Sequence, residues 1–235
     1  MSDPSNFTQS QSHGLFRDSE IRQKIFLLPP CINDSKKFDI PCSKNRFDNK
    51  ENISIKTSGN NTINCGDILR FYSRDIEDNK ITIILVKYKQ IDNRKQINEI
   101  LEIDYSEELK HILFGSVTKD VLENYVQYVK KIPSRNVTNE MKNSYKKLKK
   151  EIQQKHNMQI NISPKVDSKN QRRVQCSIPN IDKLLMKYPK FLISKTCGSL
   201  IRGIAITPVI QSIKRIRNKK VTHNINDHPI MIIND

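Results

Sequence analysis

Residues 51–67 read ENISIKTSGNNTINCGD. In NISIKT, Ile53 and Ile55 fall on one face, with Ser54 and Lys56 on the other. That period of two predicts a half-buried strand. SGNNTINCG then predicts a polar turn, and DILRFYS a second strand that opens on Asp67. A serine and a lysine thus share one face of a strand, and an acid returns just beyond the turn.

Downstream, KITIILVKYKQ (80–90) carries an aliphatic run, Ile81 to Val86, that predicts a central strand buried on both faces. INEILEIDY (97–105) is its hairpin partner. Two helices follow: SEELKHILFG, with Ser106 as cap and Gly115 as stop, and TKDVLENYVQYVKKI, capped by Thr118 and followed by Pro133. Val121, Tyr125 and Val129 line one side of the second. A third, basic helix is predicted over about 139–156, with Met141, Tyr145, Leu148 and Ile152 as its apolar stripe. MQINISPKVDSKNQRRVQCSIP (158–179) reads as a hairpin, NIDKLLMKY as a helix, FLISKT and RGIAITPVI as a strand pair, and SIKRIRNKK (212–220) as a basic run.

Upstream, residues 1–16 are polar and predict disorder. Asp18 or Ser19 then caps a short helix, SEIRQKIFLL, with Ile21, Ile25 and Leu28 on one face and Pro29-Pro30 at its end. A very short strand is expected around Phe38 to Ile40, terminated by Pro41.

The chain has 235 residues, enough for one substantial core. No apolar run approaches the roughly 20 residues of a membrane span, and the N-terminus lacks the order of a secretion signal. The expectation is an intracellular protein, of a microbe or of a virus-infected cell, with no membrane partner. The five cysteines are scattered without a CxxC pair and the five histidines form no cluster, so a reduced compartment fits and a structural zinc site does not.

The net charge is +16, and residues 140–222 hold 20 Lys+Arg against 4 Asp+Glu. Essentially the whole excess lies there. A block of that kind, interleaved with regular elements, binds polyanions through phosphate contacts and counterion release.

Magnesium-dependent cleavage of a phosphodiester needs oxygen ligands for the metal beside the scissile phosphate. An ammonium nearby steadies the water or the charge of the transition state. An acid on one strand, followed by acid-x-Lys on the next, supplies this, because alternation puts the second acid and the lysine on one face. Asp39 lies on the short strand, and Ser54-Ile55-Lys56 has the x-Lys spacing with serine in the acid's place. Asp67 is the nearest carboxylate to take over, if the turn folds back; Glu51 points the other way by alternation. KYKQ offers no rival, since the residues two before Lys87 and Lys89 are Leu85 and Lys87.

The order Glu20, Asp39, SIK, Asp67 resembles the PD-(D/E)XK restriction-endonuclease superfamily. It is most similar to those restriction enzymes in which serine replaces the central acid and the carboxylate comes from farther along the chain. The resemblance covers about residues 18–104. It implies that Asp39 and Asp67 hold Mg²⁺, that Lys56 assists the water, that Glu20 is an accessory acid and that Ser54 marks the vacated position. It further implies a homodimer, because a twofold protein matches a palindromic site.

For the DNA, Lys87 and Lys89 are expected at the exposed end of the central strand, facing phosphate. Lys165, Lys169, Gln171, Arg172, Arg173 and Gln175 have the mixture a base-reading element needs, since Arg pairs with guanine, Gln with adenine and Lys with phosphate.

The expected fold is α+β: a restriction-endonuclease-like core with a mixed central sheet flanked by helices, and a basic α/β C-terminal extension. The expected organisation is a disordered 1–16, a catalytic core over 17–135, a basic DNA-recognition half over 136–222 and a tail over 223–235. The expected function is a Mg²⁺-dependent, type II restriction-like endonuclease acting on double-stranded DNA. The alternative is a nucleic-acid-binding protein without catalysis, which the serine at the acid position favours.

Overall fold

The structure, a computed structural model, describes residues 9–30, 38–74, 79–92, 94–133, 136–166 and 172–211. Its centre is a mixed five-stranded sheet. Strand β1 (Glu51–Ser58) runs parallel to β3 (Lys80–Ile91), and β3 pairs antiparallel with β4 (Arg94–Asp104). The far edge of β4 is shared: β7 (Leu192–Cys197) pairs with its second half and β10 (Val209–Gln211) with its start, both antiparallel. A second sheet orders β2 (Ile63–Asp67), β6 (Arg172–Ile178) and β5 (Asn161–Val166), all antiparallel. A two-residue pair, β8 (Leu200–Ile201) with β9 (Ile204–Ala205), closes the strands.

β3 is central because both of its faces are apolar. Ile81, Ile83 and Leu85 enter the larger core, and Ile84 and Val86 the smaller. The larger core is roofed by α2 (Ile68–Tyr72), α3 (Glu107–Phe114), α4 (Lys119–Lys130) and α6 (Ile181–Lys187), together with the inner face of the second sheet. The smaller core lies under α1 (Gln9–Lys24), where Ile21, with Ile25 just beyond the helix, clusters with Ile53, Ile55 and Ile40. One hydrophobic cluster joins Leu122 and Tyr125 to Val174, Cys176 and Ile178. Among the described residues no helix is long and apolar enough to cross a membrane.

The caps act where expected in part. Ser106 accepts the Leu109 amide at the start of α3 and Gly115 ends it at φ +59°. Gly115 has no room for a side chain, because a Cβ there would stand 1.9 Å from the His156 carbonyl. The basic helix α5 (Asn139–Lys155) is capped by Thr138, and of its residues only Ile152 is buried.

Several expectations are corrected. DILRFYS is not a strand: the Asp67 carboxylate accepts the Arg70 amide at 2.9 Å, and α2 buries Ile68 and Phe71, three residues apart, on one side. β1 is more buried than its pattern predicts: Asn52, Ser54 and Ser58 on its polar face are buried, while Lys56 there stays partly exposed. α1 begins at Gln9, so Asp18 is mid-helix rather than its cap. FLISKT and RGIAITPVI do not pair with one another; each docks on β4. The basic run over 212–220 lies outside the described residues.

Candidate active site at the edge of the central sheet

Ile40 forms an antiparallel bridge with Ile53, its amide and carbonyl exchanging hydrogen bonds of 3.1 and 2.8 Å with the edge of β1. That bridge lays Asp39 beside the next two residues of the strand. Asp39 Oδ2 accepts the Ile55 amide at 2.7 Å and the Ser54 hydroxyl at 3.3 Å, and stands 3.7 Å from Lys56 Nζ. Both side chains of that last pair are about a quarter exposed, 29% for Asp39 and 23% for Lys56, so the pair opens to solvent.

Helix α1 supplies a second carboxyl. Asp18 and Arg22 are four residues apart and so share a helical face. Arg22 donates to the Asp39 main-chain carbonyl. Asp18 is pushed up to about 7, first by burial and then by the charge of Asp39, against the opposing pull of Lys56 and Arg22. Two carboxyls thus share one site, and near neutral pH the inner one is poised to hold a proton.

Behind this cluster lies Arg74, just after α2. It is buried, and its Nη2 donates to Ser54 Oγ at 3.1 Å. Burial lowers its guanidinium from the usual arginine range, against the charges of Tyr105, Cys65 and Asp39.

The structure therefore brings together Asp39, Ser54 and Lys56. Glu20 is placed elsewhere. It turns to Arg17 at 2.7 Å, Lys24 at 2.8 Å and the Thr207 amide at 2.7 Å, where it ties α1 to the C-terminal strands. Burial works to raise its carboxyl, but those hydrogen bonds more than offset it and hold it below the usual range. Asp67 ends β2 in the second sheet, opposite Gln175, and its carboxylate is engaged as the exposed cap of α2. The turn after β1 carries the chain away into the second sheet, so the returning acid is spent on a helix end.

Asp18 and Arg74 are the residues that sequence reasoning passed over. Asp18 had a signal: with Ile21, Arg22 and Ile25 it falls at spacings of three, four and seven, an acid inside the inward stripe of a helix. Arg74 had none, because only the tertiary fold puts it under Ser54. Among the described residues, no group of three or more His, Cys, Asp or Glu side chains is placed to hold a metal ion.

The basic residues divide. Lys87 is buried and is held by Glu99 at 2.5 Å and by Asp182 at 2.8 Å, which more than offset burial and raise its ammonium. It lies in a cleft of about 360 Å³ with Lys89, Asn60, Asn98 and Lys195. The exposed phosphate contact expected of Lys87 is thus corrected, because two carboxylates already answer its charge. Lys89 is exposed.

On β6, alternation turns Val174, Cys176 and Ile178 inward and leaves Arg173 and Gln175 on the outer face. Lys165 stands opposite Arg173, and Ser163 opposite Gln175. Arg172 falls on the inner side, donating to the carbonyls of Ile132, at 2.9 Å, and Pro133. Lys169 and Gln171 lie outside the described residues. Comparison with known proteins gives no matching family model, no matching curated protein and no matching solved structure.

Proposed function

We propose that the chain is a metal-dependent endonuclease of restriction-like type, acting on double-stranded DNA. The observation that carries it is the convergence of Asp39, Lys56 and Asp18 at the solvent-reached edge of β1, with Lys56 Nζ 3.7 Å from Asp39. The net charge of +16, concentrated in the C-terminal half, supports a polyanionic substrate. Twofold DNA sites would suit a homodimer.

A hard cation would find carboxylate oxygens in Asp39 and Asp18, which are near enough for the charge of Asp39 to add to burial in raising the Asp18 carboxyl. Mg²⁺ needs only one or two carboxylates, the rest of its shell being water and substrate phosphate. Bound there, the ion would polarise the scissile phosphate and lower the pKa of a water.

The remaining steps belong to the chain. Asp39 is fixed by the Ile55 amide, so its free edge faces the substrate in one orientation. Lys56, one turn of alternation beyond Ser54, places an ammonium where an attacking water or the charge on phosphorus can meet it. Asp18, with its raised carboxyl, can take or hold a proton near neutral pH. Lys165 and Arg173 on the outer face of β5 and β6 would contact backbone and base edges, beside Gln175.

The test is cleavage of supercoiled plasmid with Mg²⁺ by the wild type, Asp39→Ala, Lys56→Ala and Asp18→Asn. Cleavage by the wild type that both Asp39→Ala and Lys56→Ala leave intact would remove the site. A second reading, a nucleic-acid-binding protein without turnover, is favoured by the absence of a three-acid group among the described residues. It predicts salt-sensitive DNA binding with no cleavage under any divalent ion.

A further inference from the structure

Arg74 is buried, with 6% of its surface exposed, and among the described residues its Nε and Nη1 find no hydrogen-bond acceptor. A guanidinium with two unanswered donors is an unfavourable group to bury. Three rings surround it: Phe71 at 4.9 Å, Phe38 at 5.5 Å and Tyr105 at 5.8 Å from its central carbon. Their faces supply part of what water would. Its Nη2 donates to Ser54 Oγ at 3.1 Å, and the Ser54 hydroxyl then donates to Asp39 Oδ2 at 3.3 Å.

We propose that Arg74 is a positioning residue, which fixes the Asp39 carboxylate through Ser54, so that position 54 is a bridge from a buried cation rather than a lost metal ligand. The consequence for metal uptake rests on the nuclease reading; the bridge itself does not. A hydroxyl suits position 54 because it accepts from the guanidinium and donates to the carboxylate with one atom. Alanine can do neither. A carboxylate there would be captured by Arg74 as a buried ion pair, and it would repel Asp39.

The rings explain why an arginine can be kept so close behind the site. Phe71 and Tyr105 themselves meet with centroids 4.6 Å apart and planes tilted by 38°, and both belong to the larger core. The guanidinium is therefore held by fully buried rings of the larger core, and is joined to Asp39 across two hydrogen bonds. A supporting partner of this kind typically changes metal affinity about 10- to 100-fold when removed.

The first experiment needs no metal. The Ile55 amide donates to Asp39 Oδ2 at 2.7 Å, so its ¹H–¹⁵N resonance reports where that carboxylate sits. In the full chain, Arg74→Met should shift it, and Arg74→Lys, which keeps a donor for Ser54, should return it most of the way. If Arg74→Met does not fold, Ser54→Ala read at the Asp39 carboxylate ¹³C resonance gives the same test. An unmoved resonance in the folded variant overturns the bridge.

The second experiment titrates Mn²⁺ alone into wild type, Ser54→Ala and Ser54→Asp by calorimetry. Ser54→Ala should bind about 10-fold more weakly, and Ser54→Asp no better than wild type. Tighter binding by Ser54→Asp overturns the proposal, because position 54 would then be a vacated ligand. A wild type that takes up no Mn²⁺ and cuts no DNA, with Ile55 still shifting in Arg74→Met, removes the nuclease reading and leaves the bridge standing.

Discussion

Two charged clusters lie along β1, one at its start and one at its middle, and they are built to opposite rules. At its start, Glu51 takes both terminal nitrogens of Arg202, at 2.8 and 2.9 Å, and one amide hydrogen of Asn45, at 2.9 Å. The same arginine reaches Glu102 at 2.8 Å. Burial alone would raise the Glu51 carboxyl, but Arg202, Thr82 and Asn45 hold it below the usual range. Farther along the strand, Asp18 has no such answer and is pushed up to about 7, while Arg74 keeps two donors without acceptors. The fold satisfies the first buried cluster fully and leaves the second short of partners, which is the contrast on which the proposed site rests.

That contrast can be broken by substitution. Asp39→Ala and Lys56→Ala should each lower plasmid cleavage by about 10²- to 10³-fold, with thermal midpoints close to wild type, as measured by calorimetry beside the cleavage assay. Arg202→Met should do the reverse. It strands two buried carboxylates and should cost about 3–5 kcal/mol in urea unfolding. Its deficit should shrink in acid: Glu51's depressed carboxyl contributes stability above the usual glutamate value of 4.5 and loses it as pH falls through the folded value.

Asp18→Asn sharpens the comparison from the other side. A raised carboxyl favours the protonated fold, so ionising it costs stability progressively from about 3.8 up to about 7. The variant should be more stable than wild type at pH 8 by on the order of 2 kcal/mol, allowing for solvent near the side chain. The two should converge near pH 4, while cleavage falls. The smallest effect belongs to Asp67→Ala, which removes the α2 cap. It should cost about 1 kcal/mol and leave cleavage unchanged, and a loss of cleavage in a stable variant would return Asp67 to the site.

The elements with long, regular patterns were legible in the sequence. The aliphatic run of β3, its hairpin partner β4 and the capped helices α3 and α5 stand where their residues predict them. Short elements were not. A five-residue helix such as α2 shows too little period to be told from a strand, and only the Asp67 cap bond distinguishes it. Nor does local sequence say which edge a strand will join, so the docking of β7 and β10 on β4 had to come from the fold. In the site, the shared face of Ser54 and Lys56 follows from alternation, while the nearness of Asp39 comes from the Ile40–Ile53 bridge. The part taken by Asp18 depends on how far back α1 begins, and the part taken by Arg74 on how α2 packs; neither is a local property.

The turn in residues 51–67 joins the two halves of the molecule more closely than its polar composition suggests. Ser58 Oγ donates toward the carbonyls of Asn60, at 2.7 Å, and Thr62, at 2.8 Å, closing a compact knot between β1 and β2. Gln175 stands opposite Asp67 at the end of β2, so the strand that follows this knot is the one on which the β5–β6 hairpin is paired. If the nuclease reading holds, this knot acts as a ruler: lengthening it by a residue or two should slide the position of the cut along the DNA before it harms the cutting.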